Sequence, residues 1–289
     1  MPDLSIAPPK VFDRELVARH LSRRPADRDD FVTRLVLADL VERLGTVTRD
    51  FEQAVILSPD ASVLPRWGRS ANAQFAFERV STLLPVAGVP LVDPEILDLP
   101  ARGYDLIVSI FDLDIVDDVP GFLARARAHL RGDGLLLAAA IGGDSLTELR
   151  EAFLSADAEV SGGAFLRVAP FIPLSASAGL LQRAGLALPV SDVETHTIRY
   201  QSPLSLMREL KTLGASNPLA DRPHRMATLK LIQAATTAYE ALASDPDGRV
   251  RATLEIVWMS GWAPHESQQK PLKPGSAEIS LAKVLGTKN

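Results

Sequence analysis

Tyr104-Asp-Leu-Ile-Val-Ser-Ile110 and Gly134-Leu-Leu-Leu-Ala-Ala-Ala-Ile141 bracket a segment of helical periodicity, Gly121 to Leu130, closed by Arg131-Gly-Asp-Gly134. Strands apolar at consecutive positions are covered on both faces, which is the condition of a parallel sheet. Strand, helix, turn and strand in that order make a βαβ unit. Three weaker apolar runs precede it: Ala54 to Leu57, Gln74 to Phe77 and Val89 to Val92. Phe31, Leu35, Val36, Leu40, Val41 and Leu44 recur at helical spacing over Asp30 to Leu44, with Gly45 as the expected stop. Phe12 to Asp30 is polar and Arg-rich and reads as a helix and surface arm.

The second half reads differently. Helices are expected over Ser145–Val160, Ser175–Ala184, Leu204–Leu213 and Arg225–Ala243. Glu194 to Tyr200 alternates as a strand does. So does Val250 to Trp258, which puts Val250, Ala252, Leu254, Ile256 and Trp258 on one face. The fold expected is therefore α/β: a doubly wound, mostly parallel sheet with late antiparallel strands and added helices. Ligands on such sheets bind beyond the carboxyl ends of the strands, where the strand order switches.

Composition narrows the function. Across 289 residues, 31 Lys and Arg against 36 Asp and Glu leave a net charge of −5. No broad positive field is available to draw in nucleic acid. With no cysteine, disulfides, iron–sulfur ligation, Cys-based zinc sites and a Cys nucleophile are excluded. No run reaches the about 18 apolar residues of a membrane span. Met1-Pro-Asp-Leu-Ser-Ile6 has neither a basic region followed by an apolar one nor an Arg-rich presequence, so a cytoplasmic location is expected.

Blocks along the chain resemble class I S-adenosylmethionine (SAM) methyltransferases, in the subgroup of complex I assembly factors and their bacterial relatives. They are Phe12-Asp-Arg14, Tyr104 to Ser109, Val116-Asp-Asp-Val-Pro120, Leu130 to Gly134, Gly142-Gly-Asp-Ser-Leu-Thr-Glu-Leu-Arg150, Arg167-Val-Ala-Pro-Phe171, Leu181 to Gly185, Leu210 to Asn217 and Gly261 to Pro271. One eukaryotic member of the subgroup is regarded as a protein arginine hydroxylase. Malonyl-carrier-protein methyltransferases are more distant cousins. The resemblance implies a Rossmann-like domain over 46–289 behind a helical arm over 1–45, with a helical insertion near 201–245 and a polar tail over 263–289. It implies SAM as cofactor, and as partner or substrate a protein, such as a subunit of respiratory complex I.

The cofactor loop departs from the family pattern of an acid followed by Gly-x-Gly-x-Gly. Aligned on Phe51, the acid falls at Ile56 and the glycines at Ser58, Asp60 and Ser62, with Pro59 removing an N–H donor. Glu78 and Asp93 stand where acids meeting the ribose and adenine are expected. Asp114-Ile115 replaces a family His-Trp pair. Asp112, Asp114, Asp117 and Asp118 then gather acids that read either as a cation site or as a helix N-terminus capped by Asp118. Asp144 and Ser145 read as helix caps at the sheet mouth and as substrate contacts. Arg150, Arg167, Tyr200 and Asn217 are further substrate-pocket candidates.

Trp262, His265, Glu266, Ser267 and Gln268 leave the last strand together. They read as substrate contacts, with His265 and Asp144 as catalytic candidates, or as a tail ordered along the sheet edge. A hydroxylase would suggest an iron site. His20, His129, His196, His224 and His265 show no ligand-like spacing, so no metal ligand is assigned. Two functions follow from the resemblance: an enzyme using the family pocket, by methyl transfer or arginine hydroxylation, or a non-catalytic assembly factor on the same fold.

Overall fold

The computed structural model describes residues 10–269. In chain order its elements are α1 (Arg14–Ser22), α2 (Phe31–Thr46), β1 (Ala54–Ser58), β2 (Trp67–Arg69), β3 (Gln74–Ser81), β4 (Tyr104–Ile110), α3 (Val119–His129) and β5 (Leu130–Ile141). They continue with α4 (Thr147–Ser161), α5 (Leu174–Arg183), β6 (Ala187–Tyr200), α6 (Pro203–Thr212), α7 (Leu229–Ala243) and β7 (Val250–Trp262). One seven-stranded sheet runs β2-β3-β1-β4-β5-β7-β6. The pairs β3/β1, β1/β4 and β4/β5 are parallel, and β7 lies antiparallel between β5 and β6. This is the α/β, mostly parallel sheet that the apolar runs call for.

Every residue of β1 and β4 is buried. The pleat sends alternate side chains to two separate cores. Val55, Leu57 and Ile107 pack with Phe122 and Leu123 of α3 and Leu180 and Leu181 of α5. Ile56, Leu106, Val108 and Ile110 face Val36, Leu40 and Leu44 of α2. A third core joins α4, α6 and α7 to the ends of β6 and β7 through Leu149, Leu206, Tyr239 and Val250.

Several expectations are corrected. Gly45 does not stop its helix, which continues to Thr46 around it. Val89 to Val92 is no strand: only a single bridge joins Leu91 to Ser81. The described chain holds no α-helix between β1 and β3, nor between β3 and β4. A 3-10 turn at Ala61–Val63 and the short hairpin of β2 fill the first gap. Pro59, Pro65 and Gly68 fall inside that stretch, and each disfavours a helix interior. On β2, Gly68 packs under two rings: a Cβ there would sit 2.5 Å from Phe75 and 2.7 Å from Phe77.

The Phe12-Asp-Arg14 block ties the amino-terminal arm down. Phe12 bridges Leu219. Asp13 caps α1 by accepting from Leu16 N at 3.0 Å and pairs with Arg222 at 3.0 Å. Arg14 reaches Asp93 at 2.9 Å. The amides of Val11 and Phe12 both donate to Asp117, at 2.9 Å each. The arm is thereby held across the carboxyl ends of the strands.

Candidate functional site

Those carboxyl ends open into a cavity of about 770 Å³. Its floor is Ser58 at the end of β1, Phe111 and Asp114 after β4, and Ile141 at the end of β5. Val17, Leu21 and Arg24 of the arm roof it, with Phe31 to Thr33 opening α2. Leu149 and Phe153 of α4 and Leu206 to Lys211 on α6 close the sides, with Arg167 to Ala169 and Phe171 beside them. The position is the switch point at which ligands bind on doubly wound sheets.

The loop after β1 is rebuilt with side chains. Asp60 caps the 3-10 turn, accepting from Ser62 N at 3.0 Å. Its other oxygen pairs with Arg24 of the arm, whose side chain is only 8% exposed. Arg24 lies 3.9 Å from Asp30 as well. Burial opposes ionisation of Asp60, but the bonds from Ser62 and the Arg24 charge outweigh it and hold its carboxyl below the usual range. Asp60→Asn is expected to cost about 1 to 3 kcal/mol by leaving a mostly buried guanidinium half-satisfied. It should also speed proteolytic cleavage within residues 23–30. An unchanged cleavage rate would mean that this pair does not latch the arm.

The four aspartates that neighbour one another in sequence go four separate ways. Asp112 is fully buried and accepts from Thr82 Oγ1 at 2.5 Å and Ser109 Oγ at 2.7 Å. Burial pushes its carboxyl up to about 7. Asp114 lines the cavity and accepts from Ile141 N at 3.1 Å; burial raises it well above the carboxylate range. Asp117 holds the arm, and Asp118 caps α3 through Gly121 N at 2.9 Å. Among the described residues no three His, Asp or Glu side chains gather to hold a metal ion.

Of the residues singled out in the sequence, Ser145, Arg167, Tyr200 and Asn217 line the cavity. Ser145 accepts from Glu255 N at 2.8 Å and donates to Glu255 O at 3.2 Å. Arg167 is held by both oxygens of Asp157, at 2.5 and 2.7 Å. Asn217 donates to Leu166 O at 2.7 Å. Arg150 instead staples Ser145 O and Ala169 O from outside the lining. Asp144 is exposed, and neither it nor Ser145 caps α4. The cap residue is Leu146, in the left-handed region at φ 56° with no side-chain bond. Gly142 has its own steric reason, since a Cβ there would lie 2.5 Å from Glu255 Cβ.

Three groups are placed elsewhere. Glu78 lies within β3, three residues before its end at Ser81. It pairs with Val55 and takes Tyr104 Oη at 2.5 Å near the amino ends of the strands. Asp93 is engaged by Arg14 on the outer surface and does not line the cavity. Trp262, His265, Glu266 and Gln268 lie at the opposite pole. Because β7 is antiparallel, Trp262 pairs with Leu135 at the start of the apolar part of β5. There Arg49 stacks over Trp262 at 5.4 Å, Gln268 donates to Asp133 at 3.0 Å, and the exposed His265 contacts Ser267 at 2.8 Å. Lys270 and Pro271, which end this block, lie outside the described residues. Arg24, Phe31 and Phe153, all cavity-lining, carry no motif that would have marked them in sequence, and Lys211 falls in the Leu210–Asn217 block without having been singled out.

A doubly wound sheet with an open cavity at its switch point defines a Rossmann-like, methyltransferase-fold protein. Comparison with curated proteins makes the assignment specific. An arginine-hydroxylase NDUFAF5, mitochondrial, of Rattus norvegicus is 30% identical over 288 residues, covering 94% of this chain and 82% of that one. The chain belongs to this family. The Dictyostelium discoideum protein of the same name is 34% identical over 197 residues, which is 68% of this chain and 45% of that one. A malonyl-[acyl-carrier protein] O-methyltransferase of Laribacter hongkongensis is 34% identical over 183 residues, 63% of this chain and 59% of that one. No family model matches the chain.

Proposed function

We propose that this chain is a member of the family with a degenerate SAM site, acting by binding a protein partner rather than by methyl transfer. The observation that carries the reading is the loop after β1. A nucleotide cradle needs glycines that let backbone approach the ligand and a helix whose free N–H groups face it. Here Ser58, Pro59, Asp60 and Ser62 fill those positions, no α-helix follows, and Asp60 takes the Ser62 amide. The Asp60 carboxylate and the Arg24 guanidinium close on each other over the loop. Glu78 and Asp93, the remaining candidates for ribose and adenine, are engaged by Tyr104 and Arg14. The residues present do not fit SAM. The described donors do not gather for iron either.

A respiratory complex I subunit is the partner that the resemblance points to, and a cytoplasmic site of action is part of the proposal. Calorimetric titration of the full chain with SAM is expected to give no binding heat at millimolar ligand. A micromolar Kd would overturn the degenerate-site reading. Deletion is expected to lower mature complex I on a native gel, and an unchanged amount would count against the assembly role. The open cavity favours one second reading, arginine hydroxylation of the partner. Mass spectrometry of the partner with and without this chain tests it, through one added oxygen on an arginine.

A further inference from the structure

We infer that the cavity is a binding site for a single-chain amphipathic acid, its hydrocarbon chain among the apolar walls and its carboxylate at Lys211. A volume of about 770 Å³ falls within the usual range of small-molecule sites. Phe31, Phe111, Phe153, Phe171, Met207 and Leu210 supply much of the wall. Four of the polar groups among them are engaged within the protein. Arg24 is taken by Asp60, Arg167 by Asp157, Ser145 by Glu255 and Asn217 by Leu166 O. A polar ligand group entering the interior would lose water and find few free partners beyond the Asp114 carboxyl, which accepts only from Ile141 N, so most of the buried part of the ligand is apolar.

The rim differs from the interior. Lys211 lines the cavity near the end of α6, is exposed, and has no carboxylate within 4.0 Å among the described residues. It offers the anchoring charge for an anionic head group. Ala227 also lines the cavity, and its near neighbours Met226 and Leu229 are 94% and 83% exposed. Large apolar side chains this exposed beside an opening provide an apolar approach for a hydrocarbon chain.

Calorimetry with laurate on the full chain tests it, with dodecanol and dodecylamine as head-group controls. Laurate is expected to bind once per chain, and dodecanol about fivefold more weakly, the size of one exposed ion pair. Leu210→Trp and, independently, Met207→Trp should each abolish binding by filling the cavity, with helical circular dichroism retained. Lys211→Glu should reverse the preference, so that dodecylamine outbinds laurate. Failure of laurate to bind, or binding by both Trp variants as tight as by the natural protein, would overturn the site. An unchanged head-group order in Lys211→Glu would overturn the carboxylate placement. A further arm adds SAM: displacement of laurate by SAM would refute the degenerate loop while supporting an apolar cavity site.

Discussion

Replacing Asp157 by Ala should remove about 3 to 5 kcal/mol of unfolding free energy, read from urea melts at neutral pH. Asp157 sits on α4 with no exposed surface, and both of its oxygens receive the guanidinium of Arg167, at 2.5 and 2.7 Å. The Arg167 side chain is itself only 15% exposed and lies over Phe153 at 5.6 Å and Phe165 at 5.8 Å. Truncation leaves that charge among apolar neighbours with its fork unmatched, and desolvation is then uncompensated. Removing both partners, as Asp157→Leu with Arg167→Met, should recover most of the loss, because no charge remains stranded. A loss under about 1 kcal/mol for the single variant would place this pair with ordinary surface ion pairs.

Asp112→Asn should change the pH dependence of stability, and the direction follows from burial. In the unfolded chain the carboxyl titrates near about 3.9. In the fold, burial pushes it up to about 7, with Thr82 and Ser109 hydroxyls only partly offsetting this. A raised acid stabilises the fold fully below the unfolded value, and that contribution is lost as pH climbs through about 4 to 7. The amount is on the order of 4 kcal/mol. Asn carries no such charge, so the variant should gain on the natural protein by several kcal/mol between pH 4.5 and pH 8. Asp114, two residues on and raised first by burial and further by Asp112, should titrate lower in the variant. Parallel stability curves for the two proteins would show that Asp112 stays ionised throughout.

The parallel half of the sheet was legible because burial on both faces leaves a residue-by-residue record. Tyr104 to Ile110 and Gly134 to Ile141 have almost no polar interruption, and the helix between them carries its own cap at Asp118. The missing helices around β3 were harder to read. Pro59 and the lost glycines showed that the loop had changed, but not that the whole crossover had become a turn and a hairpin. The cavity was half legible: Ser145, Arg167 and Asn217 sit in blocks that resemble the family, and Tyr200 ends an alternating strand. Arg24, Phe31 and Phe153 are ordinary residues, made important only by where the arm, α2 and α4 bring them. The terminal block misled for a geometric reason. Trp262 to Gln268 follow a strand, as the residues of a sheet mouth do, but β7 runs the other way and delivers them to the far pole.

The two long connections that stand where crossover helices would be have a dynamic consequence. Residues 59–73 and 82–103 cover their side of the sheet with chain that contains few internal backbone hydrogen bonds. Amide protection is therefore unevenly distributed. The half built from β5, β7 and β6 and backed by α4 and α7 should open only with global unfolding, whereas the β3 edge should breathe in smaller, cheaper excursions. Deuterium uptake would then run from the β2–β3 side inward, and the last protons to exchange would be those of β5 and β7.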